Sequence, residues 1–249
     1  MRHNPCVTFR IRAITLDLDD TLWPFAPIGA RVEHVLHDWL LAHCPRTAAQ
    51  FPVEAMRRLR DTINAEHPHL AHDFSRLRKL TLARAMELAG DDVAHVEPAF
   101  EAFFAERNRV ECYPDAIAAL ERIAARLPVA AVTNGNADLQ RIGLHAHFSF
   151  QLGAGEHGTP KPSPSIFLAA CTRLGIPPQH VLHVGDDIEL DILGAHAAGL
   201  RTCWIHRDDL HGPTPRWPHA HVRPDLAFPT LDALADWLDV HLQDDAACL

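Results

Sequence analysis

From Tyr113-Pro114 onward the chain alternates helical and strand-like apolar patterns, and this alternation restricts the fold more than any other feature. Ile117, Leu120 and Ile123 recur at helical spacing over 114–126, ahead of the apolar run 128–133 (PVAAVT), and a further strand is expected near Phe150. A helix over 164–174 then leads to a strand at 181–185 (VLHVG), a helix over 188–198 stops at Gly199, and a strand follows at 202–205 (TCWI). Strands separated by helices pair in parallel, with right-handed crossovers and helices on both faces of one sheet. One earlier strand is expected over 11–18 (IRAITLDL), ending in the acids Asp17, Asp19 and Asp20.

Between that strand and Tyr113 the periodicity is helical throughout. Ile28, Val32, Val35, Leu36, Trp39 and Leu40 share one face, and Val53, Met56, Leu59 and Ile63 share another. Ser75 is placed to cap a third helix that runs to Leu88 and stops at Gly90; Asp91 or Asp92 starts a fourth, with Val93, Val96, Phe100 and Phe103 on its apolar face. The expected organisation is an α/β core formed by residues 1–23 and 111–249, interrupted by a helical lid domain over 24–110. Residues 206–223 read as a Pro/His-rich loop, and Leu231, Leu234, Leu238 and Leu242 as a closing helix. There is no internal repeat.

Composition narrows the function. With 47% hydrophobic and 22% charged residues the 249-residue chain is globular. A formal charge of −9 and the lack of long Lys/Arg blocks disfavour nucleic acid or an anionic membrane as partner. No apolar run approaches the roughly 18 residues of a membrane span, and MRHNPCVTFRIRAI lacks a signal-peptide core, so a cytoplasmic location is expected. Cys6, Cys44, Cys112, Cys171, Cys203 and Cys248 include no CxxC pair and are expected to be buried thiols. Only two of the 23 basic residues are lysines, Lys79 and Lys161, so a lysine here departs from the chain's habit.

In an open parallel sheet, ligands bind outside the carboxyl ends of the strands. Four segments fall there: Asp17-Leu18-Asp19-Asp20-Thr21, Thr133-Asn134-Gly135-Asn136, Lys161-Pro162, and Gly185-Asp186-Asp187-Ile188-Glu189-Leu190-Asp191. Each acid, Thr or Asn could serve only as a helix cap. Together they crowd carboxylates at one sheet edge, which demands a cation or lysine among them, and oxygen-only ligands with room for water suit Mg²⁺. Of Asp17 and Asp19, one can attack an electrophile while the other handles protons. Thr133 and Asn134 offer donors for anionic oxygens, and Lys161 a compact positive charge.

DLDDT, TNG, KP and GDDIELD, in this order, resemble the four motifs of the haloacid dehalogenase (HAD) superfamily, and the helical insert resembles its C1-type cap. The resemblance implies a Rossmann-like parallel-sheet core with an inserted helical cap. It implies a Mg²⁺-dependent phosphomonoesterase in which Asp17 becomes an aspartyl-phosphate and Asp19 protonates the leaving alcohol and then activates water. Thr133, Asn134 and Lys161 would hold phosphoryl oxygens. Asp17, the carbonyl of Asp19 and Asp186 would bind the metal, with Asp187 and Asp191 as supporting acids.

TLDLDDTLW, HDFSRLR (72–78), VTNGNADL and HVGDDIELDILGA are further similar to bacterial HAD phosphatases acting on FMN and on 5-amino-6-(5-phosphoribitylamino)uracil, which implies a small phosphorylated metabolite as partner. Trp23, Asp73, Arg76 and Arg78, with Phe25, are the candidate specificity residues, although packing and capping would equally account for them. A 2-haloacid dehalogenase-type hydrolase needs no acid at position 19. A receiver-like phosphoacceptor module needs neither that acid nor the insert, and a catalytically dead binding protein would not keep these motifs intact. The histidine pairs His145/His147 and His219/His221 are expected to be surface or loop residues rather than metal ligands.

Overall fold

Apolar β-branched and small residues fill the strand segments, and in a computed structural model, described over residues 9–207 and 217–244, they form one six-stranded sheet. The strands are β1 (Ala13–Leu16), β2 (Val129–Thr133), β3 (Phe150–Gly153), β4 (Val181–Gly185), β5 (Arg201–Ile205) and β6 (Leu226–Phe228). They are all parallel, in the order β3-β2-β1-β4-β5-β6. The sequence of strands reverses direction between β1 and β4, and such a switch point opens a crevice at the strand ends. Every residue of β1, β2 and β4 is buried, as expected of central parallel strands covered on both faces.

Two compact units divide the chain. One comprises residues 1–23, 112–134 and 143–249 and carries the sheet; the other comprises 24–111 and 135–142 and is helical. The helical unit contains α1 (Phe25–His43), α2 (Pro45–Gln50), α3 (Val53–Glu66), α4 (Phe74–Ala89) and α5 (Val96–Arg107). Helix α2 escapes the periodicity because its six residues, PRTAAQ, carry no apolar stripe. Asp73, rather than Ser75, caps α4 by accepting the Arg76 backbone N–H, and Gly90 ends it in the left-handed conformation at φ 75°. Asp92 caps the short turn before α5.

Residues 135–142 pack with the helical unit although they follow a core strand. The Asp138 N–H donates to Asn108 Oδ1, Arg141 pairs with Glu101, and Asn136 donates to Ser75 Oγ. Within the same unit Arg78 donates to both carboxylate oxygens of buried Glu33, at 2.9 and 3.3 Å, and its guanidinium lies over the Phe103 ring. Arg78, a specificity candidate by sequence, is thus a buried structural cation.

In the sheet unit, α6 (Ala116–Ala124), α8 (Ala154–His157), α9 (Pro164–Leu174), α10 (Gly194–Ala197) and a closing helix, Leu231–Asp244, accompany the strands; α7 (Leu139–Ile142) belongs to the helical unit. The helix expected over 188–198 begins instead with a wide turn, Ile188–Leu193, in which the Ile192 N–H reaches back five residues to the Asp187 carbonyl. Cys44, Cys171 and Cys203 are buried free thiols, but Cys112 is only half-buried; Cys6 and Cys248 lie outside the described residues, as do residues 208–216 of the expected loop. Among the described residues no helix is long and apolar enough to cross a membrane.

Glu33 also accepts from Arg60, at 2.6 Å, so Arg78→Ala takes one of two cationic partners from a buried carboxylate and is expected to destabilise the protein by about 2 kcal/mol, read from urea unfolding. A loss within ~0.5 kcal/mol would place the Arg78–Glu33 pair among surface-like contacts.

Candidate active site

Parallel pairing of β1 with β4 aligns Leu16 with Val184, and the Asp17 N–H continues the ladder by donating to the Val184 carbonyl at 2.9 Å. Asp17 and Asp186 therefore leave adjacent strands at the switch point. The Lys161 ammonium donates to Asp17 Oδ1 at 2.5 Å and to Asp191 Oδ1 at 2.6 Å. All three of these side chains are nearly sealed from solvent.

Two glycines permit this convergence. A Cβ on Gly185 would sit 2.3 Å from Asp191 Cγ, and one on Gly194 would sit 2.8 Å from Pro162 Cα. The absent side chains let the wide turn after β4 settle onto the strand end and onto the Lys161-Pro162 segment, whose peptide is cis.

Asn134 has a different place from the one expected. Its Oδ1 accepts the Lys161 N–H at 2.7 Å and its Nδ2 donates to the Lys161 carbonyl at 3.0 Å, so the side-chain amide clamps the lysine backbone rather than facing an anion. Thr133 closes β2 and is buried.

After Asp17 the chain makes a tight loop. Asp20 adopts φ 58°, a left-handed conformation that Asp tolerates, and its N–H donates to the Trp23 carbonyl. The loop brings the Trp23 indole N–H to Asp19 Oδ1 at 2.8 Å. Trp23 is completely buried, which corrects its expected role as a stacking surface: the ring holds Asp19 and offers no face to a ligand. Thr21, also fully buried, donates to Asp186 Oδ1 at 3.1 Å, and the Trp204 indole donates to the Asp186 carbonyl at 2.7 Å.

The two supporting acids separate. Asp187 is exposed and spends Oδ1 on the backbone N–H groups of Glu189 and Leu190, the capping alternative. Asp191 is buried and accepts from Lys161 and His183 on Oδ1 and from the Asp187 N–H on Oδ2. In the helical unit Asp73 is a cap, Arg76 is exposed, and Phe25 is 40% exposed with the Arg107 guanidinium over its ring. His219 meets Glu189 at 2.6 Å; neither histidine pair contributes to a group of metal-binding residues among those described.

Electrostatics divides the carboxylates. Burial, opposed by Lys161 and reinforced by Asp191, raises Asp17 to about 7; burial together with the Asp17 charge raises Asp186 to about 8. For Asp191 the burial penalty is outweighed by the Lys161 charge and the His183 hydrogen bond, which hold its carboxyl far below the usual range. Burial works against the Lys161 charge too, yet Asp17 and Asp191 outweigh it and keep the ammonium protonated. Oxygens of Asp17, Asp186 and Asp191 all lie within 4.8 Å of one another. Three carboxylates around one ammonium leave two negative charges uncompensated, a donor set and a deficit that a hard divalent cation fits.

Residues 11–199 match the haloacid dehalogenase-like hydrolase family. The chain is 34% identical over 204 residues, 80% of its length and 85% of the relative's, to 5-amino-6-(5-phospho-D-ribitylamino)uracil phosphatase YigB of Escherichia coli (strain K12). It is 32% identical over 243 residues, covering 87% of this chain and 94% of the relative, to phosphoserine phosphatase of Thermus thermophilus. A crystal structure described as 2-haloacid dehalogenase from Pseudomonas syringae pv. Tomato DC3000 superposes with a TM-score of 0.84 at 35% identity, over 92% of this chain and 98% of that one.

Since Asp191 lies where a Gly185 Cβ would be, Gly185→Ala is expected to cost about 2 kcal/mol in thermal unfolding while the far-ultraviolet spectrum of the native state is retained. An unchanged melting temperature would show that the turn yields without strain. Carried by the family match and by whole-length relatives, the assignment is direct: this chain belongs to the haloacid dehalogenase-like hydrolases.

Proposed function

We propose that the protein is a Mg²⁺-dependent phosphomonoesterase acting through an aspartyl-phosphate on Asp17, with FMN or 5-amino-6-(5-phosphoribitylamino)uracil as substrate. The observation that carries the reaction class is Asp19, a second carboxylate held by Trp23 two residues beyond the buried, lysine-bridged Asp17. Displacing an alkoxide from phosphorus requires a proton for the leaving oxygen. A haloacid's halide needs none.

In the first step a carboxylate oxygen of Asp17 bonds to phosphorus, the bond to the leaving oxygen breaks, and Asp19 gives that oxygen its proton. Asp19 then takes a proton from water as the water oxygen attacks phosphorus, returning Asp17 and releasing orthophosphate. Lys161 and Thr133 hold the phosphoryl oxygens, and Asn134 keeps Lys161 in register through its backbone. Asp17, the Asp19 carbonyl and Asp186 would hold the cation, because Asp191 already accepts from three protein donors. When bound, Mg²⁺ supplies charge neutralisation at the phosphoryl group and lowers the pKa of Asp17 and Asp186.

The substrate is supported by the E. coli relative and by the motif likeness along α4. Helix α4 begins at Phe74 and exposes Arg76 in its first turn. Arg76 would read polar groups of the leaving alcohol, and exposed Phe25 would offer the ring face that Trp23 cannot. Specificity accordingly resides in the helical unit. Dehalogenation is the second reading, favoured by the likeness to the P. syringae structure.

Asp17→Asn is expected to abolish phosphate release from p-nitrophenyl phosphate. Asp19→Asn should slow an alkyl phosphate by about 10²–10⁴-fold and p-nitrophenyl phosphate much less, since nitrophenolate leaves without a proton. Equal losses on both would remove Asp19 as the acid, and halide release from 2-chloropropionate without phosphate release would establish the second reading. Arg76→Ala should lower kcat/KM for FMN about tenfold, the scale of one charged hydrogen bond, and leave p-nitrophenyl phosphate within twofold. A wild-type protein that hydrolyses p-nitrophenyl phosphate but not FMN or the ribitylaminouracil phosphate would overturn the substrate assignment alone.

A further inference from the structure

His183 lies in the middle of β4 and is completely buried, in a sheet that otherwise has little use for a titratable side chain. It stands directly across from Thr15 of β1. Thr15 Oγ1 is 2.9 Å from its Nδ1, and its Nε2 is 3.0 Å from Asp191 Oδ1. The Phe167 ring packs edge-on against the imidazole, with centroids 4.8 Å apart.

The partners fix the direction of each bond. Asp191 is an anionic acceptor, so Nε2 carries the hydrogen. Burial lowers the imidazole pKa against the pull of Asp191, so the ring is neutral and Nδ1 is an acceptor. The Thr15 hydroxyl must then donate. The result is an ordered chain of donations from Thr15 to His183 to Asp191, ending on the same Oδ1 that receives Lys161.

A side-chain carboxylate can rotate about its last bonds, and Lys161 has a long flexible stem, so two contacts to the ammonium do not by themselves locate it. The Asp187 N–H holds Oδ2 of Asp191, and His183, set in the middle of β4, supplies the fixed point for Oδ1, the oxygen that receives Lys161. We propose that His183 is a positioning residue: its Nε2–H, oriented by Thr15, pins Asp191 Oδ1 so that the Lys161 ammonium is held against Asp17 with its third hydrogen left for the phosphoryl group. The inference rests on the phosphatase reading for its kinetic consequence, but not for its geometry.

Side-chain length separates the two imidazole nitrogens. The amide nitrogen of Gln reaches the place of Nε2, and that of Asn only the place of Nδ1. His183→Gln keeps a donor for Asp191, whereas His183→Asn and His183→Leu lose it. For p-nitrophenyl phosphate, His183→Leu and His183→Asn should lower kcat at least tenfold and raise the inhibition constant of orthovanadate by a similar factor. Their half-saturating Mg²⁺ concentration should stay within twofold. His183→Gln should remain within about threefold of wild type on all three measures, and Thr15→Val should lose a few-fold in kcat. If His183→Gln falls as far as His183→Leu, or if folded His183→Leu keeps wild-type kcat, the donor has no positioning role. Independently of turnover, ¹⁵N–¹H correlation at neutral pH should show the Nε2–H tautomer in the wild type; the Nδ1–H tautomer would overturn the proposal. An inactive wild type that shows the Nε2–H tautomer would instead refute the phosphatase reading.

Discussion

A buried ammonium between two buried carboxylates is the constraint on which the rest of the sheet edge depends. Lys161 cannot lose contact with water unless Asp17 and Asp191 receive it, and neither acid could be so enclosed without it. Meeting that condition requires three chain segments to converge within hydrogen-bond reach. β1 delivers Asp17, the wide turn after β4 delivers Asp191, and the segment ahead of α9 delivers Lys161. Gly185 and Gly194 are small where the segments press together, and Asn134 ties the lysine backbone to the end of β2. These features look unrelated in sequence, yet each serves the same close approach.

The choice of lysine follows from the same geometry. Elsewhere most carboxylates with a cationic partner meet arginine, as in the pairing of Arg78 with Glu33 or the cluster around Arg122, and the other lysine, Lys79, pairs with Glu97 at the surface. Two acceptors at 2.5 and 2.6 Å converge on one atom, which a compact ammonium can satisfy and a forked guanidinium cannot. That geometry accounts for a lysine at position 161 in a chain that has only one other, Lys79.

The succession of the first five strands, their parallel pairing and the positions of the strand-end acids were legible because alternation and residue type report on backbone topology; the lateral order of the strands and the three-residue β6, too short for a periodic signal, were not. What could not be read was where each polar side chain points. Asn134 occupies the expected segment but turns to the backbone of Lys161; Trp23 lies at the expected hinge but turns inward to Asp19. Asp73 and Arg78 show the same limit in α4, where capping and ion pairing inside the unit consume groups that sequence position alone offered to a ligand. His183 was missed for a different reason. Inside an apolar strand a histidine looks like one more core residue, and only the register that sets it opposite Thr15 reveals the partners on both ring nitrogens.

Within the site, unequal neutralisation assigns the acids their different environments. Asp191 receives Lys161, His183 and a backbone N–H, so its charge is stabilised by the protein itself. Asp17 shares that lysine but faces Asp191 and Asp186, and Asp186 accepts from the Thr21 hydroxyl while burial and the Asp17 charge raise its pKa. The fold thus supplies most of its donors to one carboxylate and leaves two adjacent ones less well compensated at the ends of β1 and β4. A site built that way favours whatever brings positive charge to Asp17 and Asp186, and in the proposed reaction this is the condition that would restore a normal carboxylate's ionisation to Asp17 and let it serve as an oxygen nucleophile at neutral pH.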